Sequence, residues 1–160
     1  MGYREGRFWQ PDVTVATVVV ADGRLLMVEE RVAGALVLNQ PAGHLEPDES
    51  LVEAALRETL EETGWQVRLT AFVGAYQWQA PPRPGEADGR HYLRFAFAAE
   101  PVAHDPARAL DDGIERALWM SPTELEAARD RHRSPLVWRA ASDFLGGRRQ
   151  PLDLVRQVRG

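Results

Sequence analysis

Three glutamates lie within five consecutive positions of the stretch "RETLEETGW", which runs from Arg57 to Trp65. Glu58, Glu61 and Glu62 repel one another on a helix, at roughly 0.2–0.5 kcal/mol for each pair three or four residues apart. Carboxylates near a helix C-terminus also oppose the helix dipole. A cluster of carboxylate oxygens suits a hard cation such as Mg²⁺, which keeps waters for a phosphate substrate. The spacing therefore indicates either a solvated acidic face or a magnesium site.

Arg57 is the one cation in the same two turns. Its guanidinium can fork to one carboxylate, and helical spacing favours Glu61 or Glu53, each four residues away. A single arginine cannot serve every glutamate, so a divalent ion would remove the repulsion that remains. The preceding loop, "GHLEPDE", adds Glu49 and also Gly43, which could let a backbone carbonyl approach such an ion.

The elements that position these residues begin with "VTVATVVV" (13–20), which is typical of a strand buried on both faces. A turn at 21–23 leads to a second strand, "RLLMVEE" (24–30). The stretch "NQPAGHLEPDE" (39–49) contains Pro, Gly and Asp and predicts a long loop.

Ser50 and Glu53 form a capping-box signature, and Gly64 stands where a C′ glycine would end the helix. On a helical wheel of 3.6 residues per turn the three glutamates lie together on the side away from the core. The predicted core side consists of Val52, Leu56, Thr59, Leu60 and Thr63.

The rest of the chain supplies further strands and helices around this central helix. Ser121 with Pro122 and Glu124 predicts a helix start, and Ser134 predicts another helix that ends at Gly146. Strands are predicted at 65–79, 91–100 and 115–120, with an exposed loop at 81–89. This order predicts an α/β or α+β sandwich.

The composition limits the class of protein. With 160 residues the chain is expected to form one domain, 1–160. It has no cysteine, which excludes disulfides and thiolate catalysis. A net charge of −5 argues against nucleic acid as a partner. No apolar leader or membrane-length segment is found in the sequence, so we expect a cytoplasmic protein with no membrane partner.

The stretch "GHLEPDESLVEAALRETLEETGW" resembles the Nudix box, the signature motif of the Nudix hydrolase family. The family pattern is Gly, five residues, Glu, seven residues, then Arg-Glu-apolar-any-Glu-Glu-any-Gly-apolar. One departure is Thr59, where the family usually has an aliphatic residue, although its methyl can pack in the core. The positions in register are Gly43, Glu49, Arg57, Glu58, Glu61, Glu62, Gly64 and Trp65.

This resemblance implies a Nudix α/β/α sandwich with a mixed central sheet, and hydrolysis of a phosphoanhydride that depends on Mg²⁺ or Mn²⁺. It implies Glu58, Glu61 and Glu62 as metal ligands, with the Gly43 carbonyl as a further candidate. Arg57 would orient a catalytic glutamate through an ion pair.

Glu49, in the same pattern, would help to fix the ion pair of the arginine. The expected general base is Glu61 or Glu58. Family members differ on this point, so Glu100 and Glu115 are candidates outside the motif.

Phosphates that no metal holds need cations and donors. Arg94 lies on a predicted strand, and Arg133 precedes a helix N-terminus that favours anions. Asn39, Gln40 and His44 border or lie in the motif. Trp78 and Trp9 could stack on a planar base. Each of these residues has an alternative structural role, in the core or on the surface.

The resemblance extends from about 11 to 152 and is to phosphatases of the family. It implies nucleoside di- and triphosphates, and hydroxymethylpyrimidine pyrophosphate, as small-molecule substrates from which orthophosphate is released. Cleavage of a nucleoside diphosphate conjugate such as ADP-ribose is an alternative. A non-catalytic nucleotide-sensing module is a second alternative, which the intact acidic motif disfavours. The protein is expected to be a monomer or a homodimer.

Overall fold

The computed structural model describes residues 10–159, and this range forms seven strands and three α-helices. The strands are β1 (Asp12–Ala21), β2 (Arg24–Val32), β3 (Ala35–Asn39), β4 (Ala42–His44), β5 (Trp65–Gln79), β6 (His91–His104) and β7 (Ile114–Met120). The helices are α1 (Leu51–Thr63), α2 (Pro122–Ala127) and α3 (Pro135–Leu145), with 3₁₀ turns at Arg129–Arg131 and Leu152–Leu154.

A mixed sheet forms the centre of the fold. Its strand order is β3-β2-β1-β6-β5, while β4 pairs with β1 and β7 pairs with β2. β1 runs parallel to β6 and antiparallel to β2 and β4. Six consecutive residues of β1, 14–19, are buried, because the strand has neighbours on both edges and helices on both faces. The predicted doubly buried strand is therefore confirmed.

Two apolar clusters lie on opposite faces of the sheet. One joins Ala54 and Ala55 of α1 to the sheet through Phe97 and other side chains. The second joins Val137 and Phe144 of α3, together with residues of α2, to the other face. This helix–sheet–helix layering confirms the predicted α/β/α sandwich.

Local sequence signals fix the ends of α1 as expected. The Ser50 hydroxyl accepts from the Glu53 amide at 3.1 Å, and the Glu53 carboxylate accepts from the Ser50 amide at 2.6 Å. Gly64 ends the helix in the left-handed region, with φ of 71°, where a side chain would be strained. Thr59 faces the core, and its hydroxyl pairs with that of Thr17 at 2.8 Å.

The structure corrects the loop predicted at 39–49 and adds a strand before it. The segment 39–49 is not a continuous loop, because Ala42–His44 pairs with the middle of β1. β3 was not expected, and it arises because Ala35–Asn39 forms a hairpin with β2. Both strands are short, and pairing to a neighbouring strand rather than local propensity determines them.

Within residues 10–159, no helix combines the length and the apolar character needed to span a membrane.

Candidate active site

Arg57 joins the loop before α1 to the acidic residues of the helix. Its Nε and Nη2 donate to the two carboxylate oxygens of Glu49 at 2.9 and 2.8 Å. Nη1 donates to Glu58 at 2.9 Å and to Glu61 at 3.1 Å. The expectation that Arg57 serves one carboxylate is therefore wrong. Glu53, one of its predicted partners, instead caps the helix.

Glu58 lies against β4 with its side chain only 11% exposed. A Cβ added to Gly43 would stand 2.1 Å from Glu58 Oε1, a distance that no side chain can occupy. Position 43 therefore has no room for a side chain as long as the Glu58 carboxylate keeps this position. Burial raises the pKa of Glu58, although Arg57 partly offsets that effect.

Glu62 is also buried, at 8% exposure. Its Oε2 accepts from the Ala42 amide at 3.0 Å, which ties α1 to β4. Burial raises the pKa of Glu62 to about 9, so the carboxyl is protonated at neutral pH in the absence of a cation. The prediction that the three glutamates face away from the core is thus wrong for Glu58 and Glu62.

One group of carboxylates can be bridged by a single ion. Oxygens of Glu58, Glu61 and Asp111 all lie within 4.8 Å of one another. An all-oxygen donor set from two partly buried carboxylates and one exposed carboxylate fits a hard divalent cation. The Asp111 amide donates to the Glu61 carbonyl at 3.1 Å, which holds the β6–β7 loop beside α1. Glu62 is not in this group.

A cavity of about 410 Å³ opens beside these glutamates, and we call it the phosphate cavity after the ligand that the sequence analysis predicts for this region. Glu58, Glu62 and Gly43 are among its lining residues. Five of the residues predicted to contact substrate also line it, namely Asn39, His44, Trp78, Arg94 and Arg133.

Arg94 is the buried cation of the phosphate cavity. The residue is 7% exposed, and its Nε donates to the Thr14 hydroxyl at 3.2 Å. Its Nη1 is buried without a hydrogen-bond partner among the described residues. Burial lowers the pKa of Arg94 to about 10, so the guanidinium remains charged at neutral pH. A buried cation with a free donor, in a cavity, is suited to an anionic ligand.

Other predicted residues surround this cation. Arg133 Nη1 lies 3.7 Å from Glu30 Oε1 with a side chain 31% exposed. Asn39 Oδ1 is buried and also lacks a partner in residues 10–159. Trp78 stacks on Tyr92, with ring centroids 5.6 Å apart and an interplanar angle of 18°.

His44 has a half-exposed side chain whose Nε2 lies 3.4 Å from Asp12 Oδ1.

Some candidates lie elsewhere. Gln40 is fully buried, and its amide donates to the Val137 carbonyl at 2.7 Å, so it supports α3 rather than lining the cavity. Glu100 pairs with Arg68, and Glu115 pairs with Arg31. Trp9 lies outside the described residues.

Sequence reasoning missed Asp111, Tyr92 and Glu30. The stretch "ALDDG" before β7 looks like an ordinary acidic turn. Its proximity to Glu61 depends on the way the β6–β7 loop crosses α1, which no local pattern reports. Tyr92 could have been found from alternation on β6, because it lies directly opposite Trp78 in the antiparallel β5–β6 register.

Comparison with known proteins shows the family of this chain. The NUDIX domain family model matches residues 9–139. The chain is 43% identical to phosphatase NudJ of Escherichia coli strain K12 over 147 residues, which cover 92% of each protein. The same identity and coverage hold for phosphatase NudJ of Shigella flexneri.

Solved structures are similar as well. A NUDIX hydrolase from Nitrosomonas europaea superposes with a TM-score of 0.86 at 45% sequence identity, covering 93% of this chain and 98% of that one. A UDP-X diphosphatase shares the fold at a TM-score of 0.68 and 17% identity, over 91% of this chain and 68% of that one. The chain belongs to the Nudix hydrolase family, whose chemistry is the hydrolysis of phosphoanhydride bonds.

Proposed function

We propose that this protein is a Mg²⁺- or Mn²⁺-dependent phosphohydrolase that releases orthophosphate from nucleoside di- and triphosphates and from pyrimidine pyrophosphates such as hydroxymethylpyrimidine pyrophosphate. One observation carries the proposal. Glu58 belongs both to the three-carboxylate group and to the wall of the phosphate cavity, where Arg94 has an unpaired donor. Similarity to phosphatases named NudJ supports the release of orthophosphate.

Glu58, Glu61 and Asp111 are the proposed ligands of the divalent ion. When bound, such an ion neutralises phosphate charge and lowers the pKa of a coordinated water. Glu62, which the sequence also indicates as a ligand, lies outside this group of three and accepts from the Ala42 amide, and it stays a candidate ligand. The Gly43 carbonyl stays a candidate ligand.

Glu61 is the preferred general base. Its side chain is 30% exposed, compared with 11% for Glu58, so a water molecule can reach it more readily. A general base must lie within hydrogen-bond reach of the water it deprotonates. Arg57 fixes the orientation of both carboxylates, and Glu49 fixes Arg57.

Arg94 and Arg133 are the proposed phosphate-binding residues. An arginine guanidinium presents several donors in a plane that matches phosphate oxygens. Asn39 and His44 also line this cavity, and we propose that they contact the same anion. In this arrangement the substrate is a small molecule. We propose a cytoplasmic enzyme of one domain that acts as a monomer or a homodimer. Neither nucleic acid nor a membrane is proposed as its partner.

A phosphate-release assay tests this function. Purified protein is incubated with nucleoside di- and triphosphates and with hydroxymethylpyrimidine pyrophosphate, with Mg²⁺ or with EDTA. We expect orthophosphate only when metal is present. Two phosphorylated fragments from ADP-ribose, without orthophosphate, would instead indicate a conjugate pyrophosphatase. Nucleotide binding without turnover of any substrate would indicate a sensing module.

Asp111→Asn tests the proposed metal ligands in the same assay. Asp112→Asn, one residue away in the same exposed loop, is its matched control. Of these two aspartates, Asp111 belongs to the group formed with Glu58 and Glu61, and Asp112 does not. We expect Asp111→Asn to raise the Mg²⁺ concentration for half-maximal activity at least tenfold, in line with the loss of a charged ligand. Asp112→Asn should match the wild type.

A further inference from the structure

A second cavity, of about 650 Å³, lies between α3 and the outer half of β5. We call it the α3 groove. Trp78 and Leu136 line both this groove and the phosphate cavity, so the two spaces adjoin along one shared wall. The α3 groove contains none of the carboxylates of the motif, and its charged lining residues are Arg129 and Arg139.

Two indole rings in the groove are held in place. Trp78 stacks on Tyr92, and Trp138 packs partly buried against the apolar cluster beneath α3. The Arg129 guanidinium carbon lies 4.7 Å from the centroid of the Trp138 ring. Fixed aromatic surfaces offer a ligand ring contact area without a large loss of side-chain entropy.

The two arginines of the groove are loosely paired. Arg129 lies 3.9 Å from Glu126, and its side chain is 53% exposed. Arg139 lies 3.9 Å from Asp143, and its side chain is 67% exposed. Exposed ion pairs of this kind contribute little stability. The Arg139 guanidinium can therefore turn towards a ligand at small cost. Arg129 must leave the face of the Trp138 ring before a base can stack there, and the exposed cation–π contact that it gives up is weak.

The phosphate cavity is lined mainly by charged and polar groups; its aromatic rings are the stacked pair Trp78 and Tyr92, and Trp78 also lines the groove. Its lining includes the carboxylates of Glu30, Glu46, Glu58 and Glu62 and the guanidinium groups of Arg94 and Arg133. A neutral aromatic ring gains little from such a wall, whereas the adjoining groove supplies indole surface and arginine donors. A nucleotide with its phosphates beside Glu58 can reach the groove by passing over Trp78 and Leu136.

We propose that the α3 groove binds the base of a nucleoside di- or triphosphate whose phosphates occupy the phosphate cavity, with Trp138 as the main stacking surface and Arg139 as a base donor. This assignment rests on the proposed function and adds the residues that determine its specificity for nucleotides. Stacking of a base on an aromatic side chain is tolerant of base identity, because every base has a π face.

Steady-state kinetics separates the base from the phosphates. A nucleoside diphosphate is the substrate, and methylenediphosphonate, which has neither a base nor a hydrolysable P–O–P link, is the competitive inhibitor. Trp138→Ala is expected to raise KM about tenfold, with kcat within about twofold of the wild type and an unchanged inhibition constant for methylenediphosphonate. Trp138→Phe, which keeps a ring and the core packing, should recover most of the affinity.

Arg139→Gln has a closely matched control in Arg148→Gln. Arg148 also pairs with Asp143, at 4.0 Å, and has a side chain 70% exposed, but it does not line the groove. We expect Arg139→Gln to raise KM about threefold, as loss of one hydrogen bond to the base would. Arg148→Gln should leave KM unchanged.

Unchanged KM in both Trp138→Ala and Arg139→Gln would overturn the groove assignment. An equal rise in KM and in the inhibition constant would overturn it as well, because the effect would then lie in phosphate binding or folding. If the wild type hydrolyses no phosphoanhydride, the proposed function fails instead. Calorimetric titration with ADP then decides the groove: about tenfold weaker binding by Trp138→Ala supports it, and equal binding contradicts it.

Discussion

Arg57 and Glu49 form a two-point ion pair, with Nε···Oε2 of 2.9 Å and Nη2···Oε1 of 2.8 Å. Glu49 stands in the loop before α1, and Arg57 lies in the second turn of that helix. The pair leaves Nη1 free to hold Glu58 and Glu61. Hydrogen bonds from Arg57 lower the pKa of Glu49, so this carboxylate is ionised at neutral pH.

Arg57→Lys keeps the charge and removes the planar fork. A lysine ammonium cannot donate in parallel to both oxygens of Glu49 while also holding two further carboxylates. We expect kcat to fall about 10- to 100-fold, the range found when a residue that orients metal ligands is lost. Measurement of kcat and KM at saturating Mg²⁺ checks this expectation.

Arg68→Lys is the control for that substitution, because Arg68 pairs with Glu100 on β5 and β6 and does not line either cavity. It should retain full activity. Wild-type kcat in Arg57→Lys would show that the fork does not orient the site.

Gly43→Ala places a methyl group where the Glu58 carboxylate now lies, 2.1 Å from Oε1. Either the strand or the carboxylate must move. We expect a loss of about 1–3 kcal/mol in the free energy of unfolding, as for other overpacked sites, together with weaker Mg²⁺ binding. Urea unfolding and calorimetric titration with Mg²⁺ measure the two effects.

Gly146→Ala provides the comparison for Gly43→Ala. Gly146 has an ordinary φ of −75°, and the nearest atom to an added Cβ is a backbone oxygen at 3.2 Å. Its effect on Mg²⁺ binding should be nil. Equal Mg²⁺ affinity in Gly43→Ala and the wild type would refute the claim that Gly43 makes room for Glu58.

Arg94→Met should separate stability from function. A buried cation whose Nη1 has no partner in residues 10–159 costs free energy, and a methionine of similar length removes that cost. We expect the free energy of unfolding to rise by about 1 kcal/mol in the ligand-free protein, while KM rises at least tenfold. Thermal unfolding and steady-state kinetics test the two parts.

Arg133→Met should raise KM without a gain in stability, because Arg133 is partly exposed and lies near Glu30. If Arg94→Met were both less stable and unchanged in KM, Arg94 would be a structural residue.

The ion pairs of Glu29 are expected to stabilise the fold to an extent that depends on pH. It accepts from Arg116 at 2.6 Å and from Arg131 at 2.5 Å, and these bonds lower its pKa below the ordinary 4.5. A lowered carboxyl pKa means that the contribution is present above pH 4.5 and is lost as pH falls through the folded-state value. Glu29→Gln should therefore cost about 1–3 kcal/mol at neutral pH and progressively less in acid.

Urea unfolding of both proteins at pH 7 and in mild acid measures that difference. The control is Glu115→Gln, whose exposed pair with Arg31 should contribute less than about 1 kcal/mol. If Glu29→Gln lowered the free energy of unfolding by the same amount at both pH values, the ion-pair explanation would be contradicted.

Local signals in the sequence predicted the helices and the layering well. Ser50, Glu53 and Gly64 fix the ends of α1 through contacts within a few residues, and Ser121 and Ser134 do the same for the later helices. Such contacts can be read from spacing alone.

The contacts of the acidic residues could not be read in this way. A helical wheel placed Glu58 and Glu62 on a solvated face, whereas β4 covers that face and buries them. The strand that covers them, β4, lies within the segment 39–49 that the sequence predicted to be a loop. Asp111 comes from a loop about fifty residues further along the chain, so only the tertiary fold brings it to Glu61.

Binding of Mn²⁺, followed by electron paramagnetic resonance of the free ion, tests the central claim most directly. It should be measured in the wild type and in Glu58→Gln/Glu61→Gln, with phosphate release recorded in the same samples. We predict saturable binding in the wild type, and a loss of at least about 100-fold in affinity together with phosphate release in the double variant. Equal Mn²⁺ affinity and equal phosphate release in the two proteins would contradict the account.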